Sequence, residues 1–379
     1  MNVQDSLVEP EISAEKAERF KAVALIMMFW HHLFGCELIN GWSAIIPGTE
    51  GFAYVIGTSC KICLGMFLFC SGYGLYKTYV SKKKVPDKYV LRRLIKIFIP
   101  YWLIMIFTIV YLIIAHNFEP KYLLINTFVL YIDDDKLYVS FAWFILIYYS
   151  HILLLPLVRK IERNKKGNVF TDIILYVLIP FTVSLVLTFV KISEVMKNAP
   201  VNILENIETA VLWFTLFAYG MLFAKYKIYE RVRKYTDKQP RILIICLCLL
   251  IIGNILYLRY YIDTISIRSV IYGGWLSDVI FLPVFICSVF LVLDYVRFKS
   301  RHLMPFLGKR AIYYWLLSSM FFLNTSELQF LITWPRITIL ILIWTFIILT
   351  PFVIGFGYIS DKWIKVVSGI LFQRGNKQG

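Results

Sequence analysis

Residues 94–115 read LIKIFIPYWLIMIFTIVYLIIA, with one charged residue, Lys96, near the start. A helix that crosses a bilayer needs about 20 consecutive, mostly apolar residues, and this segment supplies them. Similar runs occur at about 21–39, 52–77, 139–158, 170–190, 207–225, 241–260, 270–295, 304–325 and 336–360, which makes ten candidate spans. Segment 121–131 is apolar but too short to span, so it is read as interfacial or re-entrant. Composition points the same way. Of 379 residues 59% are apolar and 17% charged, against about 25% charged in an average soluble domain. This excludes a disordered chain and argues against a water-soluble enzyme. The expected fold is all-α, a polytopic membrane helix bundle of about ten transmembrane helices. Its membrane domain covers 19–368, flanked by cytoplasmic segments 1–18 and 369–379. The first twenty residues are polar and mixed in charge, unlike a signal peptide, so the first apolar run is expected to be a retained helix.

The chain carries 40 Lys and Arg against 24 Asp and Glu, a net charge of +16. In a soluble protein such a balance would suggest nucleic acid. Here 32 of the 40 basic residues fall at the N-terminal end and in 77–96, 159–166, 225–241, 297–310 and the stretch after 361, all on one side of the expected bundle. The positive-inside rule makes that side cytoplasmic, together with both termini. A multi-pass protein of the cell (inner or plasma) membrane is expected, with the lipid bilayer as a partner and no nucleic acid. The seven cysteines lie in or at the ends of apolar runs, so no disulfide framework is indicated. Cys60 and Cys63 form an isolated C-x-x-C and are read as packing residues. No metal site is expected.

Ionisable residues inside spans are costly and mark candidate sites. The first helix runs from Lys21 through nine apolar residues to His31 and His32. Lys21 and His32 are eleven residues apart, close to three turns, so they share a face with His32 about 16 Å deeper. His31 is turned about 80° off that face and is not expected to carry the chemistry. An unperturbed histidine titrates near 6.5 and can act as a base at neutral pH. Its bland alternative is a histidine bonded to a neighbouring helix. In the third helix Arg93 and Lys96 face one way at the membrane surface. They are either a cluster that only sets topology or a clamp for phosphate oxygens. Asp278, in the eighth helix, matches His32 in depth. It either orients that imidazole by bonding the other ring nitrogen or is held neutral or hydrogen-bonded within the bundle. Glu37 and Lys61 lie near the outer face, where either can snorkel. His151 has no evident partner, His116 and His302 are read as solvated, and Asp133, Asp134 and Asp135 are read as a solvated turn.

These residues resemble the acyltransferase 3 family of integral membrane O-acyltransferases. Lys21 and His32 match its first-helix motif of a basic residue, ten residues and a histidine. Arg93-Leu94-Ile95-Lys96 is similar to its Arg-x-x-Arg, with lysine in the second place. Phe69-Cys70-Ser71-Gly72-Tyr73, Ala142-Trp143-Phe144 and Leu307-Gly308-Lys309-Arg310-Ala311-Ile312-Tyr313 resemble further segments of the family. The five motifs fall in order over about 19–360. The chain departs from many members where it has Leu317-Ser318-Ser319, near the usual place of a second histidine. That leaves open whether it uses the usual acceptor.

The resemblance implies about ten helices and transfer of an acyl group from a cytoplasmic thioester to an extracytoplasmic glycan. On that basis no cofactor is bound, and acyl-CoA is the donor substrate, with acetyl or succinyl as the acyl group. Lys21, Arg93 and Lys96 would hold the phosphates of the donor. His32 would serve as general base on an acceptor hydroxyl or take the acyl group itself, with Asp278 as its catalytic companion. The acceptor would be a glycan or a lipid-linked sugar. A proton-coupled transporter of a sugar or lipid-linked precursor is the competing class, although no repeat relates the two halves. A sensor or scaffold is a third, and it would not need His32.

Overall fold

The computed structural model describes residues 11–36, 42–44, 48, 50–86, 88–130, 136–164, 167–192, 201–265, 273–296, 302–323 and 326–373. Every element longer than a turn is helical among these residues: α1 Ala14–Trp30, α2 Glu50–Ser59, α3 Cys63–Leu75, α4 Tyr89–Ile114, α5 Leu123–Phe128, α6 Trp143–Asn164, α7 Val169–Ile173, α8 Ile179–Ile192, α9 Val201–Tyr226, α10 Ile228–Thr236, α11 Arg241–Ile265, α12 Gly273–Tyr295, α13 Leu303–Lys309, α14 Ala311–Leu323, α15 Ser326–Thr333 and α16 Thr338–Gln373. Eight described helical segments are long and apolar enough to cross a membrane. The chain is thus an all-α, polytopic helix bundle. The two other expected spans are helical but less simple. The first is α1, whose opening turns carry Glu15, Lys16, Glu18, Arg19 and Lys21. The second, expected as one helix over 304–325, is broken at Arg310 into α13 and α14. Helix α16 outruns its expected end at 360. Its 36 residues measure about 54 Å, well beyond a bilayer core of about 30 Å. The short 121–131 segment is a single turn, Pro120–Tyr122, followed by α5.

Helix α1 sits at the centre, packed against α3, α12, α13 and α14. Phe20 and Phe29 are fully buried. The Phe20 ring stacks on Phe290 of α12 at 4.2 Å, and Phe29 on Phe346 of α16 at 4.8 Å. Close approach of backbones needs residues without a β-carbon. At the crossing of α3 and α9, a β-carbon on Gly72 would strike the Phe217 carbonyl, and one on Gly220 the Phe69 carbonyl. Gly308 meets the Glu18 main chain of α1 in the same way. Two of the glycine-bearing motifs read from the sequence are therefore helix-crossing points. Around this core, α8 and α11 expose long apolar faces, with Ile242, Leu250 and Phe189 well exposed, as expected of surfaces that meet hydrocarbon.

Two ion clusters tie the basic face together. Lys225 bonds Glu162 at 2.6 Å and Asp172 at 2.5 Å. Asp294 accepts from Lys16 at 3.0 Å, from the Tyr229 hydroxyl at 2.6 Å and from Arg233. Burial, and then the neighbouring Asp294 carboxylate, pushes the Tyr229 hydroxyl above its usual range, so it remains a donor.

Candidate active site

The C-terminal end of α1 does not stay α-helical. His31–Gly35 form a π-turn, closed by the Cys36 N–H donating to the His31 carbonyl at 3.0 Å. Such turns are rare and concentrate at functional sites. The turn is fixed from α2. A β-carbon on Gly35 would strike Gly57 and Thr58 main chain, and one on Gly57 would strike Gly35. The two backbones therefore touch, and Trp30 Nε1 donates to the Ala53 carbonyl at 3.1 Å. That contact brings His31 Nδ1 to 2.9 Å from the Gly57 carbonyl. A carbonyl can only accept, so Nδ1 carries a proton, and in the neutral ring Nε2 keeps its lone pair. His31 Nε2 lies 3.3 Å from Cys36 Sγ.

His32 faces another wall. Its ring stacks on Phe141 at 3.9 Å and lies 6.5 Å from Phe322. Its Nδ1 is buried and makes no hydrogen bond. Both histidines line one cavity of about 630 Å³, together with Cys36, Lys61, Tyr138, Phe141, Trp143, Phe144 and Trp315. The cavity reaches the surface at Asn117 and Glu119. Its rim is braced by buried Asn126, which donates to the Lys136 carbonyl at 2.9 Å and accepts from the Tyr138 N–H at 2.6 Å. The structure thus departs from the expectation for His31, bringing it into the cavity beside His32. Among the described residues, His31, His32 and Cys36 are the one group of three histidine, cysteine or acidic side chains whose donor atoms converge, all within 4.8 Å. Lys61, expected to snorkel, instead lines the cavity within electrostatic reach of both histidines.

Midway along α1, Lys21 is half-buried and within electrostatic reach of Cys70. Arg93 Nε donates to the Tyr89 hydroxyl at 3.0 Å, and the guanidinium lies over the Tyr89 ring. Arg93 is also within reach of Tyr148, whose hydroxyl bonds Ser71. Lys21 is thus within electrostatic reach of Cys70, and Arg93 of Tyr148, the partner of the adjacent Ser71. Lys96 is exposed.

The structure pairs Asp278 with a residue that the sequence reading did not single out. Arg259 of α11 donates from Nε to Asp278 Oδ1 at 2.7 Å and from Nη2 to Oδ2 at 3.2 Å. Its Nη1 reaches the Thr58 carbonyl at 3.0 Å. Asp278 is not hydrogen-bonded to the unpartnered His32 Nδ1, so the orienting bond expected between them does not form. Of the two alternatives, the carboxyl held by hydrogen bonds within the bundle fits the geometry. Arg259 escaped notice because it falls at the last turn of a span, where a basic residue reads as an ordinary flank. Cys36 escaped because nothing in its sequence neighbourhood announces a π-turn. His151 does have a partner, the Ala210 carbonyl at 2.9 Å from Nε2. Ser318 and Ser319 are buried and bond back to the Trp315 and Leu316 carbonyls at 2.7 and 2.8 Å. Glu37, Asp133, Asp134 and Asp135 lie outside the described residues.

A family model described as an acyltransferase domain matches residues 17–362. No curated protein and no solved structure matches the chain.

Proposed function

From the premise that the chain belongs to the acyltransferase family matched over most of its length, we propose that it moves a short acyl group, acetyl above all, from cytoplasmic acyl-CoA to a hydroxyl of an extracytoplasmic glycan or cell-envelope acceptor. It is a multi-pass membrane O-acyltransferase in its coarse class; donor, acceptor and roles are the proposal. One observation carries it: His32 lines a cavity that opens at Asn117 and Glu119, and its buried Nδ1 makes no hydrogen bond. An imidazole without a committed partner is free to take a proton from an acceptor hydroxyl, the role of a general base. The aromatic walls, Phe141, Trp143 and Trp315, suit the faces of sugar rings.

On the basic side, Lys21 and Arg93, near Cys70 and Tyr148, would hold the phosphates of a nucleotide-linked thioester. About 16 Å along α1 separates Lys21 from His32, a span suited to a long, thin pantetheine arm. Lys96 would add attraction at the surface. Asp278 would act through Arg259 and Thr58, holding the strand of backbone that ends in the Gly57 carbonyl, and not by touching substrate. With 32 of 40 basic residues on the donor side, the donor need never cross the membrane. The test is steady-state release of coenzyme A from acetyl-CoA by the purified protein in nanodiscs. Release stimulated by a soluble oligosaccharide, and lost in His32→Ala with Arg93→Ala retaining kcat, supports the proposal. Unchanged release in His32→Ala refutes the assigned base.

A further inference from the structure

The mechanism above leaves two groups in the same cavity without a task, His31 and Cys36. In a regular α-helix, residues five apart are about 140° out of line. The π-turn over His31–Gly35 instead closes a ring from Cys36 back to His31, which brings the thiol to 3.3 Å from His31 Nε2. The imidazole arrives prepared. Nδ1 donates to the Gly57 carbonyl, so the nitrogen facing sulfur is the one that can accept a proton. A cysteine with a histidine at hydrogen-bond distance, itself oriented by a third group, is the arrangement that activates a thiol nucleophile. Lys61 is within electrostatic reach of Cys36. Cys36 is exposed, whereas Cys60 and Cys63 are buried. Buried cysteines in apolar surroundings are inert.

We propose that Cys36 is a covalent acyl carrier, activated by His31, that receives the acyl group from the thioester donor and hands it to the acceptor. The proposal rests on the acyltransferase reading and adds a residue to it. In the first half, His31 Nε2 takes the thiol proton and Sγ attacks the thioester carbonyl of the donor. The Cys36 sulfur–acyl bond forms, the donor carbon–sulfur bond breaks, and the proton on His31 passes to the departing thiolate. One thioester replaces another, so no energy source or redox partner is required. In the second half, His32 takes the acceptor hydroxyl proton and the oxygen attacks the acyl-Cys36 carbonyl. The carbon–sulfur bond breaks and the proton returns to sulfur. The donor atoms of His31, His32 and Cys36 lie within 4.8 Å of one another, so a donor that reaches His32 from the basic face also reaches Cys36, where an acceptor entering the cavity would meet it. The same three side chains have the chemistry of a zinc site. Zinc is left as an outcome of the test.

The experiment uses the purified full-length protein and acetyl-CoA with no acceptor. It combines rapid-quench coenzyme A release with acid-quenched peptide mass spectrometry. We expect a burst of about one coenzyme A per chain and an acetyl group on the Cys36 peptide, removed by neutral hydroxylamine. Cys36→Ala should abolish burst and adduct and slow acceptor-stimulated turnover at least tenfold. His31→Ala should slow the burst at least tenfold, and His32→Ala should keep the burst while losing turnover. Cys246→Ala, at another exposed thiol, serves as the control and should behave as wild type. Wild-type turnover with no adduct, or with full activity in Cys36→Ala, overturns the relay and leaves the acyltransferase intact. An adduct on His32 overturns it, as does one zinc per chain that is lost in Cys36→Ala. No coenzyme A release and no adduct in the wild type overturn both.

Discussion

Two polar clusters meet at the neighbouring Gly57 and Thr58 carbonyls of α2, and they are built on opposite plans. At Arg259 and Asp278 every bond is closed: two run between guanidinium and carboxylate, and a third goes to the Thr58 carbonyl. At His31, His32 and Cys36 the account is left open, with one imidazole nitrogen unpartnered, one lone pair on a thiol, and a cavity in front. A closed cluster in an apolar medium fixes geometry, because any change strands a charge. An open cluster costs stability and is kept where chemistry uses the free valence. The two are joined in series: Arg259 holds the Thr58 carbonyl, next to Gly57, and the Gly57 carbonyl holds His31. The closed cluster is the mount on which the open one is positioned.

The largest effect expected is on the closed cluster. Asp278→Ala leaves the Arg259 cation buried and unpaired and should lower stability by about 3–5 kcal/mol, read as loss of Tm or of folded yield in detergent. The paired variant Arg259→Met with Asp278→Leu removes both charges and should recover most of that loss. If the double variant is as unstable as the single one, the pair does more than satisfy itself. Next comes the joint between the clusters. Gly57→Ala forces the α2 backbone away from Gly35, costing about 1–3 kcal/mol of overpacking. It should also slow transfer, since the Gly57 carbonyl no longer holds His31. Unchanged stability and rate would break the series connection. Smallest is the effect at the basic end. Arg93→Ala should raise KM for acyl-CoA about tenfold with little change in kcat, as for lost uniform binding remote from the reacting atoms. A collapse of kcat at constant KM would remove Arg93 from the donor clamp.

Much of this was legible in the residues. Runs of about twenty apolar residues announce spans because lipid forces every backbone group to bond within its own helix. Plain 3.6-residue arithmetic counted from Lys21 holds as far as Trp30 because α1 is regular to that point. The arithmetic fails one residue later, since the π-turn is imposed from outside by the Gly35–Gly57 contact, a tertiary event that HHLFG does not encode. The partner of Asp278 was hidden for a related reason. Depth along a helix can be counted from sequence, but the rotation of α12 against α11 is set by packing, so matched depth with His32 did not make a bond. Gly308 and Gly72 could be read as motif residues, yet only the crossings with α1 and α9 explain why a side chain is excluded there.

The central claim is that His32 serves transfer of an acyl group across the membrane. It is tested most directly in sealed proteoliposomes with the basic face outward, acetyl-CoA outside and a soluble oligosaccharide inside. The wild type should accumulate O-acetylated oligosaccharide in the lumen. His32→Ala, at matched incorporation and unchanged Tm, should do so at least about a hundredfold more slowly. Equal accumulation by the two proteins would contradict the claim. So would proton-coupled uptake without any acylated product, which would put the transporter class ahead.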